Sequence, residues 1–198
     1  DPITDYQSPF REAILVFWGG VRMTELPRLN SVIGALEKGL PTFTAFSPPD
    51  VASAIAFSAS SYDGVVFEME HNPWDIRALR DCLQYMLNRR QIADAGSVAP
   101  GVTPMVRVPT NGAEKGQWHA KQALDLGVYG IVWPHISTVD EAHNAVAACR
   151  YPRLASAPLF EPEGVRGDGP TQAVRYWGIS QPDYYAKADV WPLAPDGE

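Results

Sequence analysis

The sequence is poor in cysteine, in basic charge and in long apolar runs. Its two cysteines, Cys82 and Cys149, fall inside helical patterns and have no metal-ligand spacing. We therefore expect buried, reduced thiols in an intracellular, cytoplasmic protein rather than a disulfide framework. The longest apolar run, AILVFWGGV, is broken by glycines and falls short of the ~18 residues that a membrane span needs. No basic start followed by an apolar core marks a signal peptide, so no membrane partner is expected. Lys and Arg number 16 against 23 Asp and Glu, a net charge of −7. Nucleic-acid binders need a basic face, so no nucleic-acid partner is expected either. Internal repeats and low-complexity segments are also missing.

What is present is enough for one core. Of the 198 residues 45% are hydrophobic, with six Trp, eight Tyr and seven Phe, which excludes a disordered composition. From residue 28 the chain alternates. RLNSVIGALEKG carries Leu29, Val32, Ile33 and Leu36 on one helical stripe and ends at Gly39. LPTFTAFS reads as a strand, DVASAIAFSASS as a helix capped by Asp50, and DGVVFEMEH as a continuous apolar strand. DIRALRDCLQYMLNRR is helical, with Ile76, Leu79, Leu83 and Met86 on one face. TPMVRVP, EKGQWHAKQALDLG, YGIVWPHI and VDEAHNAVAACR continue as strand, helix, strand and helix. Near-continuous apolar strands separated by helices imply a parallel sheet covered on its faces.

Two segments break this rhythm: a loop over 91–103 and a Pro- and Gly-rich stretch over 151–170. Loops of the second length in compact α/β domains are functional or disordered. TQAVRYWGI and PDYYAKADVW then read as short helices, and WPLAPDGE as a tail. One domain is expected, with residues 28–150 forming a helix plus four β/α units and residues 151–198 forming the loop, short helices and tail.

Parallel α/β architectures place their active sites beyond the carboxyl ends of the strands. That rule selects Glu68, Glu70 and His71 in FEMEHNPWD, Arg107 in MVRVP and His135 in IVWPH, while the first strand offers only Ser47. Residues two apart share a strand face. Arg supplies a planar fork of donors for a carboxylate, and His moves protons near neutrality. Each alone has a structural explanation, Arg107 as an ion-pair partner of the two acids above all. Together at one sheet end they read as a site, with Glu70 orienting His71 or binding a metal-bound water. His119 and His143 lie within helices and read as packing or surface residues. The tripeptide RGD at 166–168 reads as part of a glycine-rich turn, not as an adhesion motif. That loop, Gly167 included, could close over a substrate, and Trp74, Trp133 and Tyr176 could line a pocket; a plain loop and core aromatics are the alternatives.

The runs RLNSVIGALEKGLPTFTAF, DGVVFEMEHNPWD, PMVRVPTN, ALDLGVYGIVWPHISTVDEAHNAVAACRYP and RGDGP resemble the HpcH/HpaI aldolase family, part of the pyruvate-enolate superfamily of (β/α) barrels. The likeness runs from about residue 28 to 190. It implies an α/β, TIM-type barrel, of which this chain supplies the N-terminal helix and roughly the first four β/α units. It also implies a carbon–carbon lyase acting on a small keto acid, a homo-oligomer (trimer or hexamer), and Mg²⁺ or another divalent cation. The metal's Glu and Asp ligands would lie beyond Glu198. By the same resemblance His71 is the strand-end acid/base, and Arg107 binds the carboxylate and enolate oxygen of the pyruvate unit.

Two departures, Glu68 in place of an Asp and His135 in place of a Met, favour members that decarboxylate oxaloacetate and add the enolate to a 2-pyrone. The expected electrophile contacts are His135, Tyr176 and the RGDGP loop; Trp74, Glu70 and Gly167 complete the expected substrate contacts. Class II aldol cleavage of 4-hydroxy-2-keto acids and a non-catalytic half-barrel binding module are the alternatives. Four strands do not close a barrel, so the 198 residues are expected to be an excerpt of a longer chain. Arg107→Ala is expected to abolish activity while sparing the fold.

Overall fold

Local chemistry sets where each helix begins. The computed structural model describes residues 28–156 and 161–188. Helix α1 spans Ser31–Leu36, and Asn30 caps it by accepting the Ile33 N–H at 3.1 Å. Strand β1 (Thr44–Ser47) leads to α2 (Val51–Ser58), where Asp50 accepts the Ser53 N–H at 2.9 Å. Strand β2 (Gly64–Glu68) is followed by α3 (Ile76–Met86), capped by Asp75 through the Arg77 and Ala78 N–H groups. After α4 (Arg89–Ala95) come β3 (Thr103–Arg107), α5 (Trp118–Leu126) and β4 (Gly130–Val132). Helix α6 (Val139–Cys149) opens on a reciprocal capping box between Thr138 and Glu141. Helices α7 (Thr171–Trp177) and α8 (Gln181–Ala188) close the described chain.

The strands form one sheet in the order β1-β2-β3-β4, every pair parallel. Right-handed crossovers between successive neighbours put all the connecting helices on one face, where α2 packs on α3, α3 on α5 and α5 on α6. Val65, Phe67 and Val106 point to that face and are fully buried against Leu79, Cys82 and Leu83. The opposite face carries Phe46, Val66, Glu68, Met105 and Arg107 in register, and Phe46 there is 57% exposed. Among the described residues the sheet carries helices on one side and winds in one direction, the arrangement of half a (β/α) barrel.

The structure differs from the sequence reading in detail. The helix expected over 75–90 is two helices. Leu87 is extended (ψ 93°), and Asn88 restarts the helix by accepting the Gln91 N–H at 3.1 Å. The expected loop over 91–103 therefore begins inside a helix. The fourth strand is shorter than YGIVWPHI because Pro134 has no N–H to extend the ladder. The tail WPLAPDGE lies outside the described residues.

Candidate active site

Parallel register brings the strand ends level. Glu68 pairs with Arg107 and Arg107 with Val132, so β2, β3 and β4 end at the same height. One Glu68 carboxylate oxygen accepts the Glu70 N–H at 2.7 Å and the His71 N–H at 3.2 Å, and its main-chain carbonyl accepts Asn72 Nδ2 at 3.0 Å. Glu68 thus ties the turn that displays Glu70 and His71, while its other oxygen meets the Arg107 guanidinium. Burial alone would raise the Glu68 carboxyl's pKa. Arg107 and the two N–H groups outweigh it and hold the carboxyl below the ordinary carboxylate range.

Glu70 is the hub. Its side chain is 9% exposed; one oxygen stands 3.0 Å from Arg107 Nη1 and 3.5 Å from His71 Nε2, the other 3.3 Å from His135 Nε2. Both imidazoles are largely open to solvent, at 72% and 75%. His135 is one of two non-glycine residues with positive φ (52°) among those described, and it directly follows Pro134. A left-handed non-glycine residue at a site is an uncommon conformation that local context must hold. The arrangement is a guanidinium clamped by two acids, with two imidazoles at the rim in position to exchange protons. Arg107 thus makes the ion pairs with both acids that were its structural explanation in the sequence, and its removal would leave two largely buried carboxylates without their cation.

Other expected contributors lie elsewhere. Helix α5 descends from the carboxyl end of β3 to the start of β4, so its last residues, and those of α6, lie at the amino ends of the strands. The 164–170 loop is bound there. Val165 N–H donates to Ala147 O and Arg166 N–H to Arg150 O, and the Arg166 side chain reaches Asp125 and the Tyr184 hydroxyl, all at 2.9 Å. A Cβ on Gly167 would meet Lys121 of α5 at 3.3 Å. Tyr176 is buried beside Gly127, where burial pushes its phenol pKa up. Neither Gly167 nor Tyr176 has a contact with the Glu70 group: Gly167 lies against Lys121 of α5, and Tyr176 stands beside the end of that helix. Trp74 sits edge-on to Trp118 and His119, and its indole N–H donates to Gln122 at 3.2 Å. Trp133 packs against the core. His119 stacks on Trp118, with Nδ1 2.6 Å from Thr110 Oγ1, as a packing residue does.

Phe46 was missed. The Arg107 Cζ lies 4.7 Å from its ring centroid, within cation–π range. The signal was the alternation of TFTAFS, which puts Thr44 and Phe46 in phase with Gly64 and Val66 and so below Glu68. No group of three or more His, Cys, Asp or Glu among the described residues could hold a metal ion, and both site carboxylates are committed to Arg107. These residues alone do not fit a divalent cation.

A half-barrel with an arginine, paired acids and two histidines across three strand ends has the layout of a (β/α) barrel whose polar groups gather at the carboxyl ends of the strands. The model of the HpcH/HpaI aldolase/citrate lyase family matches residues 42–157, and the chain belongs to that family. A 5-keto-4-deoxy-D-glucarate aldolase of Escherichia fergusonii is 29% identical over 162 residues, covering 82% of this chain and 53% of that protein. A family member of known structure from Burkholderia cenocepacia is 28% identical with a TM-score of 0.59, covering 80% of this chain and 55% of the other. Macrophomate synthase, at 20% identity and a TM-score of 0.46 over 86% of this chain and 57% of its own, carries no argument about activity. The chain spans about half the length of the curated relatives it matches. No helix among the described residues is long and apolar enough to cross a membrane.

Proposed function

We propose that this chain supplies the enolate-forming half of a carbon–carbon lyase whose substrate is a small 2-keto acid. The observation that carries the reading is the clamp: Arg107 held by Glu68 and Glu70, with His71 and His135 both facing Glu70. In oxaloacetate the C3–C4 bond breaks, CO₂ leaves, and the electron pair stays on C3 as an enolate. Arg107 pairs with the carboxylate and the developing enolate oxygen, where a fixed cation lowers the barrier. The enolate carbon attacks a 2-pyrone-like acceptor, and the charge arriving on the acceptor's carbonyl oxygen is taken up by a proton from His135. Without an acceptor, C3 is protonated with His71 taking part. The divalent cation that the family resemblance implies would draw its ligands from outside the described residues, and when bound it would act as a Lewis acid on the keto acid.

The second reading is the same chemistry in the cleavage direction, an aldolase releasing a pyruvate enolate and an aldehyde. The name carried by the curated relatives favours it, whereas His135, a proton donor at the rim beside Glu70, favours addition to a carbonyl-bearing acceptor. The test is oxaloacetate decarboxylation by the full chain and its Arg107→Lys variant, with and without Mg²⁺ and after EDTA. Lysine keeps the charge and loses the fork, so turnover is expected to fall about a hundredfold or more. Decarboxylation that survives the exchange removes Arg107 from the mechanism. A homo-oligomer belongs to the same proposal and is checked by light scattering on the full chain.

A further inference from the structure

We infer that Glu141, in the first turn of α6, is a positioning residue for His135. It pins the turn that aims the imidazole at Glu70, and so sets how well the site moves a proton at the acceptor's oxygen. The inference rests on the enolate-forming reading above, in which His135 serves that oxygen.

His135 has φ 52°, a left-handed backbone in a residue that carries a Cβ. Such a conformation lasts only where its neighbours impose it. Packing of the ring does not impose it, because the side chain is 75% exposed and the Glu70 carboxylate, 3.3 Å from Nε2, holds only its tip. The backbone on either side is fixed instead. Pro134 precedes it, buried and with φ locked by its ring. After Ile136, the main-chain N–H groups of Ser137 and Thr138 both donate to one carboxylate oxygen of Glu141, at 2.6 and 3.1 Å. His135 and Ile136 thus bridge a proline ring and a doubly held turn.

A capping box needs only one of those two bonds. It joins the Glu141 carboxylate to the Thr138 N–H, while Thr138 Oγ1 accepts the Glu141 N–H at 3.2 Å. The bond from Ser137 is additional, is the shorter of the two, and lies one residue nearer His135. Glu141 is itself seated by the loop that follows β3. Gly112 there is buried, and a Cβ on it would stand 2.8 Å from Cβ, Cγ and Cδ of Glu141. The β3 loop therefore sets Glu141, Glu141 sets the turn, and the turn sets His135.

Two reactions of the full chain separate this role from a general structural one. Decarboxylation of oxaloacetate leaves the electron pair on C3 and moves no proton at an acceptor oxygen. Cleavage of a 4-hydroxy-2-keto acid must take the proton from the 4-hydroxyl as the C3–C4 bond breaks and the aldehyde forms. The ratio of cleavage to decarboxylation kcat/KM is expected to fall about tenfold in Glu141→Ala, and likewise in Gly112→Ala, which displaces Glu141 without removing it. Glu141→Gln keeps a carbonyl oxygen for both N–H groups and should hold the ratio near wild type. Thr138→Ala removes the other half of the cap and should leave the ratio unmoved. Glu141→Ala added to His135→Asn should lower the ratio no further than His135→Asn alone. A ratio unmoved in Glu141→Ala, or lowered equally in Thr138→Ala, would mean that Glu141 only caps α6 and would overturn the inference. A wild-type protein that catalyses neither reaction refutes the enolate reading instead. The NMR resonances of the His135 imidazole, recorded in every case, then decide the inference alone. They should move toward those of an unstructured histidine in Glu141→Ala but not in Thr138→Ala, and resonances unmoved in both would overturn it.

Discussion

Replacing Arg107 with methionine isolates the electrostatic core of the site. The side chain is 25% exposed and faces Glu68 and Glu70, which are 14% and 9% exposed. Two opposite charges about 4 Å apart at an effective dielectric of about 20 attract by about 4 kcal/mol. Desolvation cancels much of this while the partners are intact, but removing one partner leaves the acids buried and uncompensated, at about 3–5 kcal/mol for a fully buried pair. Solvent access lowers that to about 2–3 kcal/mol here. The pH dependence separates charge from packing. The folded-state pKa of Glu68 is depressed, so its contribution is present above the unfolded value near 4.5 and is lost as pH falls through the folded value. Without Arg107 the burial penalty is opposed only by the two N–H bonds, so the carboxyl's pKa rises relative to the intact protein and acid costs the variant less. Urea unfolding followed by tryptophan fluorescence should therefore show a deficit of about 2–3 kcal/mol at pH 7 that shrinks towards pH 4. A deficit of the same size at both pH values would refute the electrostatic account and assign the loss to packing over Phe46.

Two further predictions concern the scaffold. Gly127 has φ 112°, and a Cβ there would lie 2.8 Å from Tyr176 Cδ1 and 3.2 Å from Ala173 Cα. Gly127→Ala should cost about 2 kcal/mol or more, read as a fall in Tm, and a fall worth under about 0.5 kcal/mol would mean that α7 does not rest on that turn. Phe67 is fully buried on the helix-facing side of β2, so Phe67→Ala should destabilise by about 3–5 kcal/mol in urea titrations; a loss under about 1 kcal/mol would place it outside the core.

The architecture was legible because its signals are local. GVVFE reads as a continuous apolar strand, and Leu79, Leu83 and Met86 mark the core face of α3 without tertiary knowledge. The site was legible through one topological rule, which collected Glu68, Glu70, His71, Arg107 and His135 from three separated segments. The same rule, carried one step further, would have placed Arg166 at the amino ends of the strands, where it binds Arg150 O and Asp125, because its loop follows a helix that descends from the carboxyl ends. Phe46 stayed hidden because an aromatic in a short strand reads as core, and only the cross-strand register shows that it faces Arg107. The break before Asn88 was hidden because Leu87 continues the helical composition, and the capping bond to Gln91 alone marks it.

Either reading of the function requires that this site make a pyruvate enolate, whichever carbon–carbon bond the protein handles in turnover. Proton exchange at the methyl group of pyruvate in D₂O, followed by NMR, tests it without choosing an acceptor. Loss of the methyl signal well above the buffer rate is expected with the full chain, falling about a hundredfold in Arg107→Lys. Exchange at the buffer rate with folded protein, or equal exchange in the variant, would contradict it.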